Sequence, residues 1–201
     1  MVRRMRIKSI FKIAILATTW LISFSSQAEP LLSDDEKEVV LFFSYKCNSC
    51  YQTSAYLSAW DLQRDDVRVR RVPVFSGETW RAEARLFFLL ELSKDRYPLT
   101  GFKRRQAAFS LAQTEDMVDS KEYFLSLFRR HGMEFTALEF SQWWDASSVM
   151  MLSTQEILEE VSIFHSEVPF VRVNVSGNNE AVYYSGEDPQ GLIRQLNKKV
   201  N

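Results

Sequence analysis

The chain has 201 residues, 46% hydrophobic and 25% charged, an ordinary composition for one globular domain or one domain with a sizeable insertion. Its 15 Phe, 5 Trp and 7 Tyr supply enough apolar bulk for a core that needs no disulfide staples. Five of the 25 Lys and Arg lie in residues 1–28, which hold no Asp or Glu, so the remainder carries 20 basic against 26 acidic residues. That net −6 argues against nucleic acid as a partner, because phosphate binding wants clustered cations.

In chain order, Arg3, Arg4, Arg6, Lys8 and Lys12 make a basic start, and "IAILATTWLISF" (13–24) is a continuous apolar run. Ser26 and Ala28 then set a small-x-small pattern. Basic, apolar, small is the pattern of a secretory signal peptide, here with cleavage after Ala28. The run falls short of the ~20 residues a membrane-spanning helix needs. After an acidic lead-in, "VVLFFSY" (39–45) reads as a buried strand, and "CYQTSAYLSAWDLQRD" (50–65) as a helix with Tyr56, Leu57 and Trp60 on its apolar face. "VRVRRVPV" (67–74) alternates as a second strand whose Arg68, Arg70 and Arg71 read as its solvent face. This is a β-α-β unit, with the strands parallel and the crossover right-handed.

Five helices are expected next, at 78–93, 101–113, 120–132, 136–146 and 148–165, with breaks at Pro98, Gly101 and Gly132. "PFVRVNV" (169–175), the turn "SGNN" (176–179) and "EAVYYS" (180–185) read as a hairpin. Asp188 is placed as an N-cap with Pro189 at the first helical position, opening a last helix to about Lys199.

Cys47 and Cys50 are the chain's only cysteines. As a structural staple the pair is weak, since closing four residues constrains the unfolded chain by roughly 2 kcal/mol against ~3 for a 15-residue loop. As half of a zinc site it lacks partners: His131 and His165 stand far apart without paired-ligand spacing, and four ligands are required. A two-thiolate copper(I) site stays open. The redox reading fits the local geometry better, because a Cys-x-x-Cys that follows a strand and opens a helix puts both sulfurs on one face. A thiolate at Cys47 would meet the unpaired N–H groups and positive dipole of the helix start. Beyond the cytosol, such a pair meets an oxidising environment.

The segment "VLFFSYKCNSCY" resembles the active site of the DsbA family of periplasmic thiol:disulfide oxidoreductases, and "EVPFVRVNV" resembles that family's Val–Pro step before the final hairpin. The resemblance covers nearly all of residues 38–199 and implies an α/β protein, a thioredoxin fold with an inserted all-helical domain. Residues 29–76 and 166–201 would form the two parts of the thioredoxin-fold domain, and 77–165 the insertion. It further implies Cys47 as the exposed nucleophile, Cys50 as the buried resolving thiol, and Asn48 and Ser49 as the dipeptide that tunes the redox potential. Pro169 would be a cis-proline packed against the disulfide, and Val168 would offer its backbone to substrate.

The implied activity is introduction of disulfides into reduced or unfolded exported proteins in the periplasm. It would need no dissociable cofactor and no metal, and a quinone-linked membrane partner would restore the disulfide. Two positions depart from the pattern: Asn48-Ser49 lacks the histidine of the best-known member, and Leu41 stands where the family has a buried acid. A reductase or isomerase of the same fold, or a copper(I)-binding or chaperone-like module, are the competing readings. Phe87, Phe88, Trp143, Trp144, Met150 and Met151 are assigned chiefly to a helical core, with an apolar groove for unfolded substrates or a membrane partner as the other possibility.

Overall fold

In a computed structural model, the described residues are 37–96, 101–163, 168–175, 178–183 and 188–200. The signal-peptide reading, Pro98 and His165 lie outside them, as does the first half of the hairpin turn.

The central strand β1 (Glu38–Phe43) is wholly buried, as its continuous apolar run requires when a sheet is covered on both faces. Helix α1 (Asn48–Asp61) follows, then β2 (Arg68–Pro73), which pairs parallel to β1 in the register Val39↔Val69, Leu41↔Arg71. Four helices intervene, α2 (Arg81–Leu92), α3 (Gly101–Thr114), α4 (Lys121–Arg130) and α5 (Ala137–Glu160). The chain then returns as β3 (Phe170–Val175), antiparallel to β1, pairs it with β4 (Asn178–Tyr183) and ends in α6 (Pro189–Val200). The sheet order is β2-β1-β3-β4, with four helices inserted between β2 and β3: the expected thioredoxin fold with a helical insertion.

Alternation along β1 splits the core in two, because successive side chains of a strand point to opposite faces. Val39, Leu41 and Phe43 join a cluster with Leu57 and Trp60 of α1 and Leu192 and Leu196 of α6, which continues into the insertion through Leu86, Phe109 and Phe124. Val40 and Phe42 face the other way, onto Phe88 of α2 and Met151 and Leu158 of α5. Most of the aromatics and methionines singled out from the sequence therefore serve the core. Phe88 and Met151 are buried, Phe87 stacks edge-on against Phe43, and Trp144 packs against Phe124, while Met150 is exposed.

Three sequence expectations change. The two helices expected at 136–146 and 148–165 are replaced by a single helix, α5, over Ala137–Glu160. The helix runs on through Ser147 and Ser148, whose hydroxyls donate to the Trp144 carbonyl at 2.7 and 3.0 Å and accept from Arg85 Nη1. Arg71 does not share the solvent face of Arg68: strand alternation turns it to the opposite side, where its guanidinium donates to Ser58 Oγ at 3.0 Å. Tyr56 is exposed, and small polar residues (Thr53, Ser54, Ser58) complete the buried face of α1 instead.

Helix ends follow the local chemistry. Gly132 follows the α4 cap at φ +72°, a conformation that suits glycine, and lets Met133 N–H reach back to the Phe128 carbonyl at 3.1 Å. α3 starts at Gly101, where the expected helix begins. Asp188 caps α6 as expected, accepting the Gly191 N–H at 2.8 Å. At α5, Thr136 and Glu139 form a reciprocal capping box, and Arg96 pairs with the same carboxylate. Thr136→Ala is expected to lower stability by about 1 kcal/mol, read as a shifted midpoint in urea denaturation with an unchanged slope.

Candidate active site

The turn between β1 and α1 is built by Ser44, which is buried. Its hydroxyl accepts the Lys46 N–H and its carbonyl the Cys47 N–H, both at 3.2 Å. That folds the chain so that Cys47 becomes the N-cap of α1, with extended backbone and its sulfur accepting the Cys50 N–H at 3.1 Å. An N-cap side chain normally supplies oxygen to one of the orphan N–H groups of a helix start. Here sulfur does so.

Cys47 and Cys50 form a disulfide. Cys47 is half-buried and Cys50 fully buried, so one sulfur faces outward and the other lies in the apolar cluster that also holds Leu41 and Leu57. The Ser49 hydroxyl stands 3.3 Å from the Cys47 sulfur, whereas Asn48 is exposed at the helix start. Across the cleft, the Val168 carbonyl oxygen lies 3.8 Å from the same sulfur, and the Val168–Pro169 peptide is cis, with Pro169 buried. The six residues singled out from the sequence, Cys47, Asn48, Ser49, Cys50, Val168 and Pro169, thus lie at one place, where the start of α1 meets the chain entering β3.

The electrostatics favour negative charge on Cys47. The first turn of α1 holds no acidic side chain, so nothing competes with a thiolate for the helix-start N–H groups and dipole. Leu41, at the position of the family's buried acid, is wholly inaccessible and pairs with Val171 across the sheet. It can take no proton.

Sequence reading missed two features beside the site. Lys46 turns inward: its ammonium donates to the Glu115 carbonyl at 3.2 Å and lies 4.0 Å from Glu83, a buried carboxylate in the first turn of α2. One signal did exist, since Glu83 falls three and seven residues before Leu86 and Leu90, on the apolar stripe of its helix. Two turns further along α1, Arg71 and Arg105 both donate to Ser58 Oγ at 3.0 Å. Burial, and then the neighbouring Arg105, push the Arg71 guanidinium down to about 10. Burial likewise lowers Arg105, raises Asp61 against the pull of the two arginines, and holds the Tyr45 hydroxyl far above its usual value. Burial and a hydrogen bond to Glu115 push Tyr123 up to about 12. Among the described residues no group of three or more His, Cys, Asp or Glu is placed to hold a metal ion, and no helix is long and apolar enough to cross a membrane.

Sheet order, helical insertion and an N-cap disulfide together define a thioredoxin-fold protein with a Cys-x-x-Cys disulfide. Solved DsbA structures share this architecture. That of Pseudomonas aeruginosa DsbA superposes with a TM-score of 0.66 at 18% identity, covering 84% of both chains. The oxidoreductase DsbA of Xylella fastidiosa gives 0.60 at 19%, covering 82% and 86%, and the oxidoreductase NmDsbA1 of Neisseria meningitidis 0.59 at 20%, covering 85% and 86%. In sequence, the chain is 35% identical over 99 residues to the thiol:disulfide interchange protein DsbA of Azotobacter vinelandii, across 39% of this chain and 46% of that one. The chain thus spans about half the length of the curated relative it matches. No family model matches. The chain therefore has the fold of these DsbA structures and, over 99 residues, is similar in sequence to a DsbA.

Proposed function

We propose that this protein is an exported thiol:disulfide oxidoreductase that introduces disulfides into reduced or unfolded proteins of the periplasm. The observation that carries the reading is the Cys47–Cys50 disulfide, its outer sulfur capping α1 and its inner sulfur buried.

A substrate thiolate attacks Cys47 Sγ. The Cys47–Cys50 bond breaks, a mixed disulfide forms on Cys47, and Cys50 leaves as a thiolate and takes a proton. A second substrate thiolate then attacks the substrate sulfur of that mixed disulfide and expels Cys47 as a thiolate. Two substrate thiols become a disulfide, and the enzyme disulfide becomes a dithiol, a transfer of two electrons. The expelled Cys47 thiolate is received by the Cys50 N–H, the Ser49 hydroxyl and the helix start. A thiolate stabilised in this way favours the reduced form and makes the disulfide a stronger oxidant. Asn48 and Ser49 set the size of that effect. Val168 offers its carbonyl to an incoming substrate strand, and Pro169 packs against the disulfide. Re-oxidation falls to a quinone-linked membrane partner, and the start of the chain directs export, with cleavage after Ala28.

Titrating Cys47–Cys50 against glutathione tests the direction of the chemistry. DsbA itself stands at about −120 mV and thioredoxin at about −270 mV. A value near the first supports net oxidation; one near the second would make the protein a reductase of the same fold.

A further inference from the structure

Resting on the exchange chemistry proposed above, we infer that Lys46, held by Glu83, is a positioning residue that sets how strongly the Cys47–Cys50 disulfide oxidises. Lys46 immediately precedes the outer cysteine, yet its side chain does not run out to solvent. It spans to the insertion, where its ammonium donates to the Glu115 carbonyl just beyond α3 and sits 4.0 Å from Glu83 Oε1 of α2. The previous residue is tied to the same place, since the Tyr45 carbonyl accepts from Gln113 Nε2 at 2.7 Å. Two consecutive residues of the active-site turn are thus fastened to the C-terminal end of α3, which itself favours a cation.

Glu83 has only 8% of its side chain exposed, and among the described residues its ion pair is with Lys46. A carboxylate so placed is costly without a cation. The Glu115 carboxylate is held apart by Tyr123 Oη at 2.9 Å and Arg130 at 3.2 Å. Lys46, Glu83, Glu115 and Arg130 therefore form a cluster whose four charges sum to zero beside the redox pair. Neighbouring Cα atoms are 3.8 Å apart, so the Lys46 ammonium stays within about 13 Å of the Cys47 sulfur whatever its rotamer. At low ionic strength this is well inside the screening length of about 30 Å. Unbalancing the cluster in either direction must then shift the thiolate, and with it the stability of the dithiol form.

The test compares wild type, Lys46→Met, Glu83→Gln and the double variant in glutathione redox buffer at low and high salt. Glu83→Gln leaves the ammonium unopposed and should favour the reduced enzyme about threefold; Lys46→Met should disfavour it by a like factor. The double variant should return to within about twofold of wild type, and high salt should shrink both single shifts. The double also removes the isolated carboxylate, should Lys46→Met alone fold poorly. Single variants that move the equilibrium in the same direction, or not at all, overturn the inference while leaving the exchange reading intact. A wild-type pair that does not exchange with glutathione overturns that reading instead.

Discussion

Cys47→Ser should abolish oxidation of a reduced, unfolded substrate protein, leaving less than about a hundredth of the wild-type rate, while the fold survives. The chemical loss is complete in principle because the attacked sulfur is gone, and Cys50 is fully buried and cannot take its place. The structural loss is small because the disulfide closes only four residues, worth roughly 2 kcal/mol in the loop-entropy model. Cys50→Ser should behave differently: Cys47 still exchanges, so the variant accumulates as a mixed disulfide, visible as a mass increment that dithiothreitol removes. Rates of reduced-protein oxidation, together with urea denaturation of each variant, check both halves. If Cys47→Ser kept a tenth of the activity, the outer sulfur would not be the site of exchange.

What the sequence revealed of this site depended on locality. The strand run, the two cysteines at i and i+3 and the helix opening between them lie within about twenty residues, and each follows from neighbours along the chain. The meeting with Val168 and Pro169, 121 residues away, came from resemblance, since no local pattern brings those segments together. What stayed hidden was tertiary and polar. Ser58 looks like a surface serine until Arg71 and Arg105 converge on it, and Lys46 looks like a solvated lysine until Glu83 receives it from another helix. The false break in α5 has the same origin: Ser147 and Ser148 weaken a helix by local propensity, but Arg85 of α2 donates to both hydroxyls there. Periodicity reports which residues avoid water; it is silent about which buried polar groups find each other.

Arg85 should be the insertion's most costly charged residue to remove. It is 4% exposed, and its guanidinium is bonded to Asp119, Ser147 and Ser148. Nε donates to Asp119 Oδ1 at 2.9 Å, Nη1 donates to Ser147 and Ser148 at 2.9 and 2.7 Å, and the guanidinium carbon sits 4.3 Å from the Trp144 ring centre. Three segments meet there: α2, the chain leading into α4, and the middle of α5. Arg85→Leu should cost about 3–4 kcal/mol, towards the lower end of the range for breaking a buried pair, because Arg81 still holds Asp119 at 2.8 Å. Arg81→Leu, removing the more exposed partner, should cost about 1 kcal/mol or less. A double-mutant cycle of Arg85→Leu with Asp119→Asn should show coupling of about 2 kcal/mol by urea denaturation, as groups sharing one buried network do. Additive losses, or an Arg85→Leu cost no larger than that of Arg81→Leu, would show that packing around Trp144, not the charge network, holds α2 to α5.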